Sequence, residues 1–282
     1  MSDRRKVLPQ YVLPKRGLTA FAGRVASRER GATTTRLVRW FVTKYGVDMS
    51  EAAVPEITSY ASFNDFFTRA LKAGARPLAN ADLICPVDGA ISQFGRIEHD
   101  QILQAKGHRY STSALVGGDP ALAAHFNDGS FATLYLSPKD YHRIHMPCDG
   151  TLTRMIYVPG SLFSVNPATA RGVPGLFARN ERVVCVFESA SVGTFVLTLV
   201  GATIVGSMAT VWHGAVRLPR SRHVREWQYP EGEVMLKRGD EMGRFMLGST
   251  VVLLFARDGL RFNPEWQPGR TIRFGEAMAD LA

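Results

Sequence analysis

The sequence has little cysteine, with only three in 282 residues: Cys85, Cys148 and Cys185. They are odd in number, widely separated and form no C-x-x-C pair, which argues against a disulfide framework and favours a reducing cytoplasm. The chain also lacks an uninterrupted apolar stretch near its start, because Pro9 and Pro14 break it, so no secretory signal is expected. Internal repeats and low-complexity linkers are absent too.

One long run lacks charge entirely, from residue 189 to residue 212. Its length would span a bilayer. However, it is rich in glycine, serine, threonine and β-branched residues, and Gly193, Gly201 and Gly206 fall where strands would turn. This composition predicts buried strands rather than a transmembrane helix.

Acidic residues are scarce in the first 47 positions, which hold eleven basic and only two acidic residues. The net charge of this segment is +9, equal to that of the whole chain, so the remainder is neutral. A surface of this kind attracts phosphate, either on nucleic acid or on an anionic bilayer.

The first 80 residues have helical patterns. Apolar residues recur from Leu18 at a helical spacing, and a second amphipathic helix is predicted over about 33–45. A third helix begins at Ser62, which matches a capping box with Asp65. The buried face predicted for this third helix comprises Phe63, Phe66, Phe67 and Ala70.

From about residue 83 the period changes to short β-branched runs between turn residues. These runs cover 131–136, 152–158, 183–187, 194–199, 202–211 and 250–255. The predicted fold class is α+β, with N-terminal amphipathic helices capping a mostly antiparallel β body. We expect a helical, membrane-associating region over 1–80 and a β-rich catalytic body over 81–282.

The basic helices have three interpretations. They can be a solvated face above a core-facing stripe, a membrane-surface element, or a nucleic-acid contact. Alternation of large aromatics with arginine favours the membrane surface. Nucleic acid is the weaker interpretation, because no recognisable nucleic-acid module follows the basic stretch.

A candidate nucleophile lies at Ser249, directly after Gly248 and before an apolar run. Alone, this motif is typical of a turn that enters a buried strand. A serine hydroxyl can also attack the preceding carbonyl, which glycine leaves sterically open. Because serine is a poor nucleophile at its ordinary pKa, this reaction needs a nearby base.

His142 and His145 can supply that base, since they lie three residues apart in a polar segment. With Cys148 three residues further on they could instead bind zinc, although Pro147 disturbs the geometry and no second ligand cluster follows. Asp88 precedes Gly89 in a hairpin-like dipeptide, so it can be a turn residue. Its alternative role is to orient a histidine, as in an Asp–His–Ser triad.

These motifs together resemble phosphatidylserine decarboxylase, in its membrane-associated bacterial form. The resemblance covers nearly the whole chain, and the order and completeness of the motifs make it specific. The segments that carry it are 86–93, 104–108, 141–147, 157–166, 176–182, 200–207 and 247–250.

The resemblance implies a proenzyme that cleaves itself between Gly248 and Ser249, giving a β chain of 1–248 and an α chain of 249–282. It implies a triad in which Asp88 orients His145 and His145 deprotonates Ser249. β-Elimination and loss of ammonia then leave a pyruvoyl group at position 249, the only cofactor expected, with no metal.

The implied second reaction condenses this pyruvoyl ketone with the serine amine as a Schiff base, releases CO2 and yields phosphatidylethanolamine. His142 is the candidate for positioning the carboxylate or handling the proton, or else it only packs the triad. The implied partners are phosphatidylserine, an anionic phospholipid membrane and a second copy of the chain in a homodimer, with no nucleic acid. The implied location is peripheral, on the cytoplasmic side of the cell membrane.

Other classes of protein remain open from the residues alone. The main rival is a serine hydrolase that uses an intact Asp88–His145–Ser249 triad. A zinc module and a membrane or nucleic-acid adaptor are the others. A basic loop could touch head-group phosphate or be merely solvated; its residues are Arg217, Arg220, Arg222, His223 and Arg225.

Overall fold

The computed structural model describes residues 7–203, 208–216, 223–246, 249–256 and 259–281, apart from the side chain of Arg16. Its helices lie mostly in the first quarter of the chain. In order they are α1 Pro9–Val12, α2 Lys15–Ala26, α3 Ala32–Tyr45, α4 Phe63–Phe67, α5 Thr112–Leu115, α6 Pro120–Ala124, α7 Pro167–Gly172 and α8 Leu176–Arg179, with a 3₁₀ turn at Ile57–Ser59.

Strands follow from residue 83. They are β1 Leu83–Ile84, β2 Gly89–Arg96, β3 Gln101–Ala105, β4 His108–Ser111, β5 Ser130–Leu136, β6 Arg143–His145, β7 Gly150–Val158, β8 Arg182–Ser189, β9 Gly193–Val200, β10 Met208–Thr210, β11 Gly214–Val216, β12 Arg225–Gln228, β13 Met235–Leu236, β14 Glu241–Phe245, β15 Ser249–Phe255, β16 Leu260–Phe262, β17 Thr271–Ile272 and β18 Ala277–Leu281. The two long helices precede the first strand, and only short helices lie between the strands, which pair antiparallel; this confirms the α+β class.

The largest sheet is antiparallel and runs β12-β7-β8-β9-β15-β5-β2-β17, with β13 also paired to β7. A second sheet, β11-β10-β14-β6, carries the histidine segment. Smaller sheets join β1, β18 and β16, and β3 with β4. Strand β15 is buried at all seven positions, as expected for a central strand that packs on both faces.

The predicted run 202–211 is strand only at Met208–Thr210, while Ala202 and Thr203 lie outside any strand and 204–207 lie outside the described residues. Strands β8 and β9 cover the start of the uncharged run. In the part of the chain that the structure describes, no helix is both long and apolar enough to cross a membrane.

The N-terminal helices have a small core of their own, in which the aromatic rings of α3 and α4 pack together. Phe41 of α3 lies 5.1 Å from Phe63 and 5.9 Å from Phe66, measured between ring centroids. The predicted cap is confirmed, because the backbone N–H of Asp65 donates to Oγ of Ser62 at 3.1 Å. Thus α4 is fixed at its start and turns its phenylalanines inward.

Candidate functional site

Ser249 begins the central strand of the largest sheet and is fully buried. Its backbone is paired with Leu136 of β5. The Oγ atom is enclosed and has no hydrogen-bond partner within the described residues. Leaving a hydroxyl buried and unpaired costs about 1–3 kcal/mol. The hydroxyls of Thr133 and Thr250 on the same two strands are unpaired among the described residues as well, so Ser249 differs from them by its position at the start of β15. Gly248 lies outside the described residues.

Asp88 lies at the same end of the sheet, directly before β2. Ala90 of β2 and Thr250 of β15 both pair with Tyr135, on opposite sides of β5. Two strand spacings therefore separate the backbones of β2 and β15, about 10 Å. The sheet thus places Asp88 and Ser249 across one strand from each other.

Gly89 is needed for this arrangement. A Cβ atom at this position would lie 2.3 Å from the carbonyl oxygen of Tyr135. No side chain fits at that distance, so β2 can approach β5 here only with glycine. The Asp-Gly dipeptide is therefore a close-packing element next to the site as well as a turn signal.

Arg76 holds the Asp88 carboxylate, and the motifs gave no sign of this contact. Its Nε donates at 3.1 Å and a terminal nitrogen donates at 2.6 Å to the two carboxylate oxygens. A third donor is the backbone N–H of Phe274 at 2.8 Å. The same guanidinium pairs with Glu51 at 2.7 Å, which links the N-terminal region to Asp88. Burial alone would lower the pKa of Arg76, but the hydrogen bonds to Asp88 and Glu51 outweigh this effect and raise the pKa above its ordinary value.

His145 lies on β6 between two aromatic side chains. Its ring stacks on Phe274 at 3.7 Å between centroids. Nδ1 is 2.8 Å from the carbonyl oxygen of Gly239, and Nε2 is 3.0 Å from the hydroxyl of Tyr141. A carbonyl only accepts, so Nδ1 donates and, in the neutral ring, Nε2 accepts from Tyr141. Burial lowers the pKa of His145, which favours this neutral form.

His142 is fully buried against Phe67, with ring centroids 4.0 Å apart. Its Nδ1 donates to the carbonyl oxygen of Asp140 at 2.8 Å. Burial lowers the pKa of His142 to about 3, so the ring is neutral at pH 7 and Nε2 carries a lone pair. Nε2 has no partner among the described residues. This nitrogen is therefore a vacant proton acceptor.

The three triad candidates share no hydrogen bond with one another among the described residues. Phe274 connects two of them, since its N–H binds Asp88 and its ring stacks on His145. His145 is paired with Glu241, eight residues before Ser249. The backbone carbonyl of His142 accepts from the N–H of Phe245, only four residues before Ser249. The pairing thus brings His142 nearer than His145 to the chain that enters Ser249.

A cavity of about 210 Å³ lies near this end of the sheet, and it is lined by neighbours of Ser249 and His142 rather than by these residues themselves. Its wall includes Leu136, the strand partner of Ser249, and Phe67, which covers His142. Phe41 and Tyr45 of α3 form another part of the wall. The cavity therefore lies between the basic N-terminal helices and the sheet end that carries Ser249.

Cys148 does not complete a metal site with the histidines. Its thiol is buried and contacts Oγ of Ser189 at 3.9 Å. Within the described ranges, no three His, Cys, Asp or Glu side chains are grouped so as to hold a metal ion. Of the basic loop, Arg217, Arg220 and Arg222 lie outside the described residues, and Arg225 is exposed at the start of β12.

Comparison with known proteins identifies the class of protein to which this geometry belongs. The family model described as phosphatidylserine decarboxylase matches residues 63–280, and one described as PSD matches residues 5–46. The chain belongs to the phosphatidylserine decarboxylase family.

Three relatives show how close the likeness is, and each is named phosphatidylserine decarboxylase proenzyme. The protein of Polaromonas naphthalenivorans (strain CJ2) is 75% identical over 285 residues, covering 100% of this chain and 98% of its own. That of Variovorax paradoxus (strain S110) is 72% identical, covering 100% of this chain and 99% of its own. That of Azoarcus sp. (strain BH72) is 70% identical, covering 100% and 97%.

Proposed function

We propose that the chain cleaves itself between Gly248 and Ser249 and then decarboxylates phosphatidylserine to phosphatidylethanolamine and CO2. The observation that carries this proposal is the buried, unpartnered Oγ of Ser249 at the start of the central strand. Family membership and the proenzyme names of the relatives agree with it.

Cleavage begins when Oγ of Ser249 attacks the carbonyl carbon of Gly248. A base takes the hydroxyl proton, the C–N bond breaks, and the amine of residue 249 leaves protonated, so an ester replaces the amide. Removal of the Cα proton of residue 249 then expels the Gly248 carboxylate from Cβ. Water finally releases the nitrogen as ammonia, leaving a pyruvoyl group.

The surroundings of Ser249 fit a pyruvoyl group. The Oγ atom makes no hydrogen bond within the described residues, so its loss leaves no buried partner unsatisfied. When formed, the pyruvoyl carbonyl supplies the electron sink for decarboxylation of an amino acid head group. The chain's own task is then to bind the head group, exclude water and hold a proton donor nearby.

For self-cleavage we assign Asp88, His145 and Ser249 as the triad. The assignment requires Nε2 of His145 to exchange Tyr141 for the serine hydroxyl, since Tyr141 occupies this nitrogen at 3.0 Å. Arg76 and the N–H of Phe274 fix Asp88. For decarboxylation we assign His142, whose Nε2 has no partner among the described residues and whose ring packs on Phe67 of the cavity wall, as the group that handles the proton.

We place the substrate in the cavity between α3 and the sheet end, and the protein peripherally on an anionic membrane. The supporting feature is a set of exposed apolar side chains in and around α1–α3: Leu8, Tyr11, Val12, Leu13, Leu18, Phe21, Trp40 and Tyr45. Arg24, Arg36 and Arg39 are exposed on α2 and α3, and Arg28 is exposed just after α2. Apolar insertion combined with attraction to anionic lipid is how amphipathic helices bind a bilayer interface.

The test is CO2 release from vesicles of phosphatidylserine by the purified protein, with S249A as the paired variant. The proposal predicts phosphatidylethanolamine as product from the native protein and none from S249A. Hydrolysis of the lipid ester by an uncut protein would instead support the serine hydrolase alternative.

A further inference from the structure

A second groove, of about 570 Å³, lies between the start of α2 and the segment that follows β7. It is separate from the cavity beside Ser249, and the two share no lining residue. The groove is lined by Leu13, Pro14, Lys15, Gly17, Gly160, Ser161, Leu162 and Arg179.

Two cations in this groove lie against one buried ring. Nζ of Lys15 is 3.3 Å from the ring centroid of Phe163, and the guanidinium carbon of Arg179 is 5.2 Å from it. Among the described residues, no carboxylate lies within salt-bridge distance of either cation, and the first turn of α2 has no acidic residue. Burial, and then the charge of Arg179, lower the pKa of Lys15. The cluster therefore has unneutralised positive charge on a rigid aromatic base.

Exposed apolar side chains lie in the groove, at Leu13, and further along α2, at Leu18 and Phe21. Leu13 is 45% exposed, Leu18 is 42% exposed and Phe21 is 66% exposed. A site for a free anion has no need of such neighbours, whereas a lipid presents a phosphate next to acyl chains. Exposed apolar residues around a basic site are thus the combination that a bilayer interface satisfies.

We propose that Lys15, Phe163 and Arg179 form a binding site for the phosphodiester of an anionic membrane lipid other than the reacting one. The proposal rests on the proposed peripheral membrane location. Lys15 and Arg179 would contact the phosphate oxygens, with Arg179 able to bind two of them in its planar fork. Leu13 and Leu18 would lie against the upper acyl chains.

The sheet indicates that this lipid differs from the substrate. The N–H of Gly201 donates to Glu181, and the register of β9 with β15 places Gly201 beside Ser249. Two strand spacings thus separate the backbones of Glu181 and Ser249, about 10 Å. Arg179 lies two residues before Glu181. The amine and phosphodiester oxygen of phosphatidylserine are joined through only two carbon atoms, so we expect the lipid held at Arg179 to be a different molecule from the one that reacts at residue 249, which the detergent assay below tests.

The experiment uses the full-length, processed protein and vesicles of phosphatidylcholine with phosphatidylglycerol, which is anionic and carries no amine. K15Q/R179Q should bind these vesicles about tenfold or more weakly than wild type, because each lost cation removes about 1 kcal/mol of electrostatic attraction to the anionic lipid. The matched control is R24Q/R28Q, which removes the same charge from exposed positions outside the groove. It should lose only the general attraction to the anionic surface, whereas K15Q/R179Q should also lose the direct contacts to the phosphate and therefore bind more weakly still. Intact mass should show normal cleavage in both variants.

Two further arms separate the remaining outcomes. Decarboxylation of detergent-dispersed phosphatidylserine should be unchanged in K15Q/R179Q; its loss would show that the groove holds the reacting lipid and would overturn the proposal. Equal losses of vesicle binding in both double variants would overturn it as well, because the cluster would then be part of a diffuse basic surface. Tight binding of water-soluble glycerophosphoglycerol, measured by calorimetry, would also overturn the proposal, because this compound has the phosphodiester but no acyl chains.

The single variants K15Q and R179Q replace the double variant if it does not fold. Failure of the proposed function itself would look different: wild type would release no CO2 whatever its affinity for phosphatidylglycerol.

Discussion

Arg76 binds Asp88 through two hydrogen bonds at once, from Nε at 3.1 Å and from a terminal nitrogen at 2.6 Å. Both side chains are almost enclosed, with 6% and 11% of their surface exposed. Two parallel hydrogen bonds from one guanidinium fix the position and the orientation of the carboxylate. Removing either partner would leave the other charge buried and unpaired. Arg76 thereby determines where the Asp88 carboxylate lies.

Replacing Arg76 should therefore impair both stability and self-cleavage. For R76Q we expect a loss of about 3 kcal/mol in the free energy of unfolding, the cost of an uncompensated buried carboxylate. Denaturant unfolding in the S249A background measures this loss without interference from processing. The matched variant is R76K, which keeps the charge but not the planar fork, so it should lie between R76Q and wild type. An R76Q protein as stable and as fast to cleave as wild type would refute the role.

The two histidines should separate the two reactions. H145A is expected to cleave slowly or not at all, because His145 is the assigned base for Ser249. H142A is expected to cleave but to decarboxylate at least about a hundredfold more slowly, the usual contribution of a positioned proton donor. Time courses of intact mass and of CO2 release distinguish the two. The reverse pattern would assign the role of base for Ser249 to His142. The Nε2 of His142 has no partner among the described residues, and its backbone carbonyl binds Phe245, four residues before Ser249.

Burial of His142 also predicts acid sensitivity. Burial lowers its folded-state pKa to about 3, well below the ordinary value of 6.5. Between these two pH values the His142 imidazole is protonated in the unfolded chain and neutral in the folded chain. Stability should therefore fall as the pH drops from about 6.5 toward 3, by at most about 1.4 kcal/mol per pH unit for this group.

The measurement compares S249A with S249A/H142Q by urea unfolding at several pH values. The H142Q protein should show the shallower dependence on pH. Parallel curves for the two proteins would mean that His142 does not titrate as its burial requires.

Gly89 offers a test of the sheet beside the site. In G89A the new Cβ would meet the carbonyl oxygen of Tyr135 at 2.3 Å, so β2 must move away from β5. We expect a destabilisation of about 2 kcal/mol or more, within the range of overpacked cores, together with slower cleavage. The control is G17A in α2, where no atom lies within 4 Å of the added carbon. It should be neutral or stabilising by up to about 1 kcal/mol. Equal thermal stability of the two variants would contradict this account.

Local patterns predict the elements of this fold well. The capping box at Ser62 and the buried phenylalanines of α4 follow from a few adjacent residues, and the apolar run after Ser249 becomes β15. Amphipathic spacing also identifies α2. It cannot show that Phe21 stays 66% exposed, because periodicity does not reveal what an apolar face contacts.

Contacts between distant parts of the chain could not be predicted. Arg76 and Phe274 belong to no motif, and Phe274 lies 186 residues after the Asp88 that it binds. The histidine pair is visible in the sequence, but its tautomers depend on carbonyls of Asp140 and Gly239 that only the fold supplies. Resemblance placed Asp88, His145 and Ser249 in one site. It did not show that Asp88 is bound by Arg76 and the N–H of Phe274, or that His145 is bound by Tyr141 and the carbonyl of Gly239.

The most direct test of the central claim is the intact mass of the purified protein. Self-cleavage predicts two chains, one ending at Gly248 and one of 34 residues whose first residue is a pyruvoyl group and therefore reacts with a carbonyl reagent. S249A should give a single uncut chain. An active preparation that contains only the full-length chain, with Ser249 unchanged, would contradict the account.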